Sequence, residues 1–110
     1  MEVNIEGMLR TVSKKKLRDY YTGNKQAEMP LTEWYYKIAE SKARNIYELR
    51  QVFNSVDSVH GYTVFNIGGN NYRLITAIHY NTQICYIRVI WTHAEYSKGS
   101  SQEKLRRGDL

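Results

Sequence analysis

Apolar residues recur along this chain with two different periods. Up to about Phe53 they fall three and four apart, and after Gly61 they alternate or run together with Val, Ile, Tyr and Thr, which reads as helices followed by strands. A short alternating strand, Met8 to Ser13, opens the pattern, with Met8, Arg10 and Val12 on one side and Leu9 and Thr11 on the other. Ser13 offers an N-cap for a helix from Lys14 to about Tyr21. Gly23, Asn24 and Pro30 bracket a polar connection. Thr32 then offers the cap of a second helix, whose Trp34, Tyr35, Ile38, Ala39 and Ala43 form a stripe. Asn45 heads a third, short helix with Ile46, Leu49, Val52 and Phe53 on one face, ended by the turn formers Asn54-Ser55 and Asp57-Ser58.

Three strands are predicted from there: Tyr62 to Ile67, Asn70 to Tyr80 and Ile84 to Thr92, separated by Gly68-Gly69 and by a turn at Asn81-Thr82. From Gly99 the chain is polar, charged and aperiodic, which predicts a basic, flexible or partner-ordered tail over 99–110. The expected architecture is α+β: a small, mostly antiparallel sheet, made of the N-terminal strand and the three-stranded meander, with helices packed on one face. At 110 residues the chain makes one domain.

A two-residue loop at Asn81-Thr82 sets a register in which Ile78 faces Cys85, Thr76 faces Ile87, Leu74 faces Val89 and Tyr72 faces Trp91. The other face then carries Arg73, Ile75, Ala77 and His79 beside Tyr86, Arg88 and Ile90, with Arg73 and Arg88 as diagonal neighbours. No acidic residue lies between Gly61 and Thr92. Two readings follow: the arginines bind a phosphate, or each pairs with a carboxylate of the helical half such as Glu40 or Glu48.

Charge adds one fact to this picture. Lys and Arg number 16 against 11 Asp and Glu, a formal charge of +5, with excess at both ends in Lys14, Lys15, Lys16 and Arg18 and in Lys98, Lys104, Arg106 and Arg107. Such a field favours polyanions, although many soluble domains carry as much. Cys85 is the only cysteine and falls in an apolar strand, so it reads as a buried thiol. There is no apolar run of about 18 residues and no signal-peptide pattern, which leads us to expect a cytoplasmic protein without a membrane role. His60, His79, His93 and Cys85 have no metal-ligand spacing, and no metal or other cofactor is expected.

Past the last strand, Thr92-His93-Ala94-Glu95-Tyr96-Ser97-Lys98 sets an imidazole, a phenol and an ammonium at the end of a rigid element. Metal-free RNA cleavage needs a base for the 2′-hydroxyl, an acid for the 5′-oxygen and cations at the crowded phosphate. His93 suits the proton transfers and Arg73 the charge; the bland alternative for His93 is a residue that caps a strand end.

Val64-Phe65-Asn66-Ile67-Gly68-Gly69-Asn70-Asn71-Tyr72-Arg73-Leu74-Ile75, Tyr86-Ile87-Arg88 and Thr92 to Lys98 together resemble the HigB family of type II toxins, within the RelE-like messenger RNA interferases. Pro30-Leu31-Thr32-Glu33-Trp34-Tyr35 resembles the family's second helix, and the likeness runs from about Met8 to Lys98, a single RelE-like domain over 1–98. Met1 to Gly7 extend beyond the usual family start.

The resemblance implies a ribosome-dependent endoribonuclease that cuts the codon in the decoding site. It also implies neutralisation by a helix-turn-helix antitoxin of the HigA type, with operator DNA bound only through the complex. It carries the phosphate-stabilising arginine to Arg73, the proton-transfer histidine to His93 and the RNA-orienting aromatic to Tyr96. RNA and ribosome contacts are expected at Arg88, Lys98, His60, Asn66, Asn71, Lys14, Lys15 and Lys16, the lysine run being equally well a solvated helix turn. A lysine pair found ahead of the hairpin in some relatives is missing. His60, His93 itself or the ribosome is then left to act as base. The alternatives are a non-catalytic RNA- or ribosome-binding module, or an inactive protein that only binds the antitoxin.

Overall fold

A computed structural model describes residues 8–110; the extension Met1 to Gly7 lies outside the described residues. Among the described residues five strands form one sheet in the order β1-β5-β4-β3-β2. They are β1 (Arg10–Val12), β2 (Asp57–Val59), β3 (Tyr62–Ile67), β4 (Tyr72–His79) and β5 (Ile84–Thr92). The meander β3-β4-β5 is antiparallel as expected, and β1 joins its β5 edge in parallel. The helices are α1 (Lys15–Gly23), α2 (Glu28–Ala39), α3 (Ile46–Leu49), α4 (His93–Tyr96) and α5 (Gly99–Arg107). None among the described residues is long and apolar enough to cross a membrane.

α1 to α3 cover the first face of the sheet. In α2, Leu31, Trp34, Tyr35, Ile38 and Ala39 are all buried, a stripe at i, i+3, i+4, i+7 and i+8 that lies on Phe65 and its neighbours in the main core. Two expected caps are corrected. Ser13 has φ +71° and does not cap; α1 starts from Lys14 with no side-chain bond. Thr32 lies inside α2, which starts four residues earlier because Pro30 falls in the first turn, where backbone N–H groups have no helical acceptor to lose. Asn45 does cap α3: its side chain accepts the Glu48 N–H at 3.0 Å. That helix ends at Leu49, however, and leaves Val52 exposed.

β2 was not expected, since Asp57 and Ser58 read as turn formers. It pairs with β3 through a two-residue turn in which His60 and Gly61 both have positive φ, +50° and +87°, the backbone that a tight hairpin requires. The β4–β5 register matches expectation from His79 to Thr76 and then slips at a bulge: Ile75 faces Val89, Leu74 faces Ile90, Arg73 faces Trp91 and Tyr72 faces Thr92. Arg88 is the extra residue. One added residue inverts the parity of the strand. Ile90 therefore turns into the main core, and Val89 and Trp91 move to the second face.

The tail also differs from expectation. Residues 99–107 form α5, and its fully buried Leu105 packs on Tyr62, Val64 and Ile75, so helices cover part of the second face as well. Gly108 ends the helix at φ +74°, with the Asp109 N–H donating to the Lys104 carbonyl at 3.0 Å.

Candidate active site

The turn Gly68 to Asn71, between β3 and β4, and the corner where β5 becomes α4 meet at one end of the sheet. Gly68 and Gly69 both have positive φ, +62° and +68°, which brings Asn70 and Asn71 back over the start of β4. The second corner is made by a capping box. Thr92 Oγ1 accepts the Glu95 N–H at 3.1 Å and Glu95 Oε1 accepts the Thr92 N–H at 2.8 Å, so the strand stops at Thr92 and His93 opens a helical turn. The His93 N–H donates to the Asn71 carbonyl at 2.9 Å and joins the two corners.

Arg73 lies between them, only 8% exposed. Its Nη1 donates to the carbonyls of Asn70 and Tyr72, each at 3.2 Å. Its Nη2 donates to Asn70 Oδ1 at 2.6 Å and meets His93 Nδ1 at 2.9 Å. A guanidinium only donates, so Nδ1 is the acceptor in this bond and the ring proton of the neutral imidazole sits on Nε2. The guanidinium carbon stands 5.6 Å from the centre of the Tyr96 ring, which lies 6.4 Å from Trp91. No carboxylate pairs with Arg73 among the described residues; Glu48, one expected partner, is engaged by Arg44. His93 is exposed. A buried fixed cation, an exposed imidazole and a half-buried phenol thus converge, a set suited to proton transfer beside an anion.

Two participants escaped the sequence reading. Asn70 holds Arg73 by both its side chain and its carbonyl; its place inside the Gly-Gly-Asn-Asn turn was the available signal. Tyr20 of α1 stands edge-on to Tyr72 at 5.9 Å. Its phenol is pushed above the usual range by burial first, then by Glu95 and Tyr72, so α1 reaches the same end of the sheet. The Thr-x-x-Glu capping box was likewise legible and not used.

The other expected residues are dispersed. Asn66 faces Arg73 across β3–β4 and flanks the site. Asn71 is an exposed turn residue whose carbonyl holds His93. Lys98 is exposed where α4 gives way to α5. The diagonal arginine pair does not form: the bulge sets Trp91 opposite Arg73, and Arg88 lies three residues further down β5 with its guanidinium 5.3 Å from the Tyr86 ring. His60 caps the β2–β3 hairpin, six residues from Asn66 and roughly 20 Å away along the strand, so it does not join the site. Lys14 covers the Tyr35 ring at 4.4 Å, and Lys15 pairs with Asp19 at 2.8 Å. Lys16 Nζ donates to the Arg88 carbonyl at 3.1 Å. Among the described residues no three or more His, Cys, Asp or Glu side chains converge to hold a metal.

Comparison with known proteins fits this arrangement. Residues 27–99 match the HigB_toxin family, described as the RelE-like toxic component of a toxin-antitoxin system. The chain is 31% identical over 91 residues to the mRNA interferase toxin HigB of Escherichia coli K12, a span of 80% of this chain and 88% of that protein. It is equally similar, over the same span, to the proteins named mRNA interferase HigB from Escherichia coli O157:H7 and Shigella flexneri.

Proposed function

Since the chain belongs to the HigB family of RelE-like toxins, we propose that it is an endoribonuclease that cuts messenger RNA on the ribosome, in the cytoplasm, and is silenced by a partner antitoxin. The observation that carries the reading is the buried Arg73, bonded to His93, beneath Tyr96 and, among the described residues, without a carboxylate. The missing counter-charge is the phosphate of the substrate.

In this mechanism the 2′-oxygen attacks the adjacent phosphorus and the 5′-oxygen leaves. Arg73 stabilises the charge that gathers on the phosphate oxygens. His93 transfers protons, its Nδ1 released when Arg73 turns its Nη2 toward the phosphate. Tyr96 orients the RNA through its ring. With His60 at the far end of β3, the proton transfer that His93 does not perform falls to a ribosomal group. Asn66, Asn71 and Lys98 flank the strand, Arg88 contacts RNA, and Lys14, Lys15 and Lys16 contact ribosomal phosphates. The antitoxin is of the helix-turn-helix, HigA type, and operator DNA is reached only through the complex.

Primer extension on a defined message in a purified translation system, with and without ribosomes, tests this. Codon-phased cuts that need ribosomes and fall about a hundredfold or more in His93→Ala and in Arg73→Ala are expected. A folded, antitoxin-free wild type that makes no cuts would leave a binding module as the better account.

A further inference from the structure

α5 covers only part of the second face of the sheet: Leu105 lies on Tyr62, Val64 and Ile75. Toward β1 no described helix covers the same face. Register puts Arg10 beside Ile84, Val12 and Ala77 beside Tyr86, and His79 beside Ile84, and alternation gives all of them to one side. Tyr86 is the centre of this area. The Arg88 guanidinium lies over its ring at 5.3 Å and the His79 ring meets it edge-on at 5.2 Å. Arg10 and His79 are exposed, Tyr86 and Arg88 half-buried, and Arg88 Nε is buried with no partner among the described residues. β1, β3, β4 and β5 contain no carboxylate. Asp19 of α1, which lines the groove beside Arg88, is already paired with Lys15.

We infer that this half-face is a docking platform for single-stranded messenger RNA, where a base stacks at Tyr86 and Arg88 while Arg10 and Arg88 meet the flanking phosphates. The inference rests on the proposed RNA cleavage and extends it to a second point on the strand. An aromatic ring beside guanidinium groups accepts any base through its π-face. An acidic protein segment would find the cations but leave the rings unmatched. Arg88 stands three residues from Trp91, the strand partner of Arg73, about 10 Å along β5, so one RNA strand reaches both places.

The test measures fluorescence anisotropy of a labelled, unstructured oligoribonucleotide on His93→Ala protein, which spares the RNA. Adding Tyr86→Leu is expected to weaken binding about fivefold or more, with Tyr86→Phe close to the parent. Adding Arg88→Gln lowers the slope of log affinity against log salt by roughly one. Thermal unfolding checks that each variant is folded. Unchanged RNA affinity in folded Tyr86→Leu and Arg88→Gln overturns the platform. So does displacement of the RNA by poly-glutamate at equal charge concentration, which marks a surface for acidic protein. Ribosome-dependent cleavage by the wild type is scored separately, so the platform can fall while the proposed function stands.

Discussion

Asn70 has more influence on the site than its exposed position suggests. It supplies two of the four bonds that hold the Arg73 guanidinium, and one of those comes from its side chain. Misplacing a working group by about 1 Å can cost roughly a hundredfold in rate. Asn70→Ala is therefore expected to lower single-turnover cleavage roughly ten- to hundredfold while the melting temperature moves little. Equal losses of rate and of stability would assign Asn70 to the fold instead. The Cys85 thiol is a separate residue-scale case: burial pushes it from 9.0 up to about 12. The folded protein keeps this proton where the unfolded chain has lost it. The associated stability is whole below pH 9.0 and is lost as pH rises through about 12. Tyr20 and Tyr80, raised chiefly by burial, act in the same direction. Urea midpoints should hold steady up to about pH 9 and then fall, and a thiol reagent should reach Cys85 only on unfolding.

Among the elements, α5 shows how little apolar signal a packed helix needs. Its sequence is almost wholly polar, and one side chain, Leu105, ties it to the second face at full burial. Tyr62 Oη adds a bond from the Leu110 N–H at 3.1 Å. Leu105→Ala should cost about 2–5 kcal/mol in urea unfolding. A loss under 1 kcal/mol would mean that the helix is not docked in solution. The capping box at Thr92 and Glu95 does its work at the same scale, since it converts the end of a strand into the turn that presents His93.

For the whole molecule, the distribution of charge matters more than its sum. The net charge is +5, yet several cations are locally engaged: Lys15 by Asp19, Arg44 by Glu48, and Arg106 and Arg107 by Glu103. The strands that carry Arg73, Arg88 and His79 have no carboxylate. Association with ribosomes should thus weaken steeply between about 50 and 200 mM salt, as counterion release requires. Co-sedimentation that ignores salt would point to apolar docking.

Local signals in the chain were enough to specify α2, the Asn45 cap, the meander and the polar residues gathered at its end, since period, turn residues and the Gly-Gly-Asn-Asn-Tyr-Arg and Thr-His-Ala-Glu-Tyr segments act over a few residues. Those segments also located Arg73 and His93, which the structure brings to 2.9 Å. Tertiary structure decided the rest. The bulge that separates Arg88 from Arg73, the strand formed by Asp57, Ser58 and Val59, the docking of α5 and the distance of His60 from the site all depend on which strand lies beside which. A one-residue slip costs little locally but inverts every side chain beyond it, so only packing on both faces selects the register.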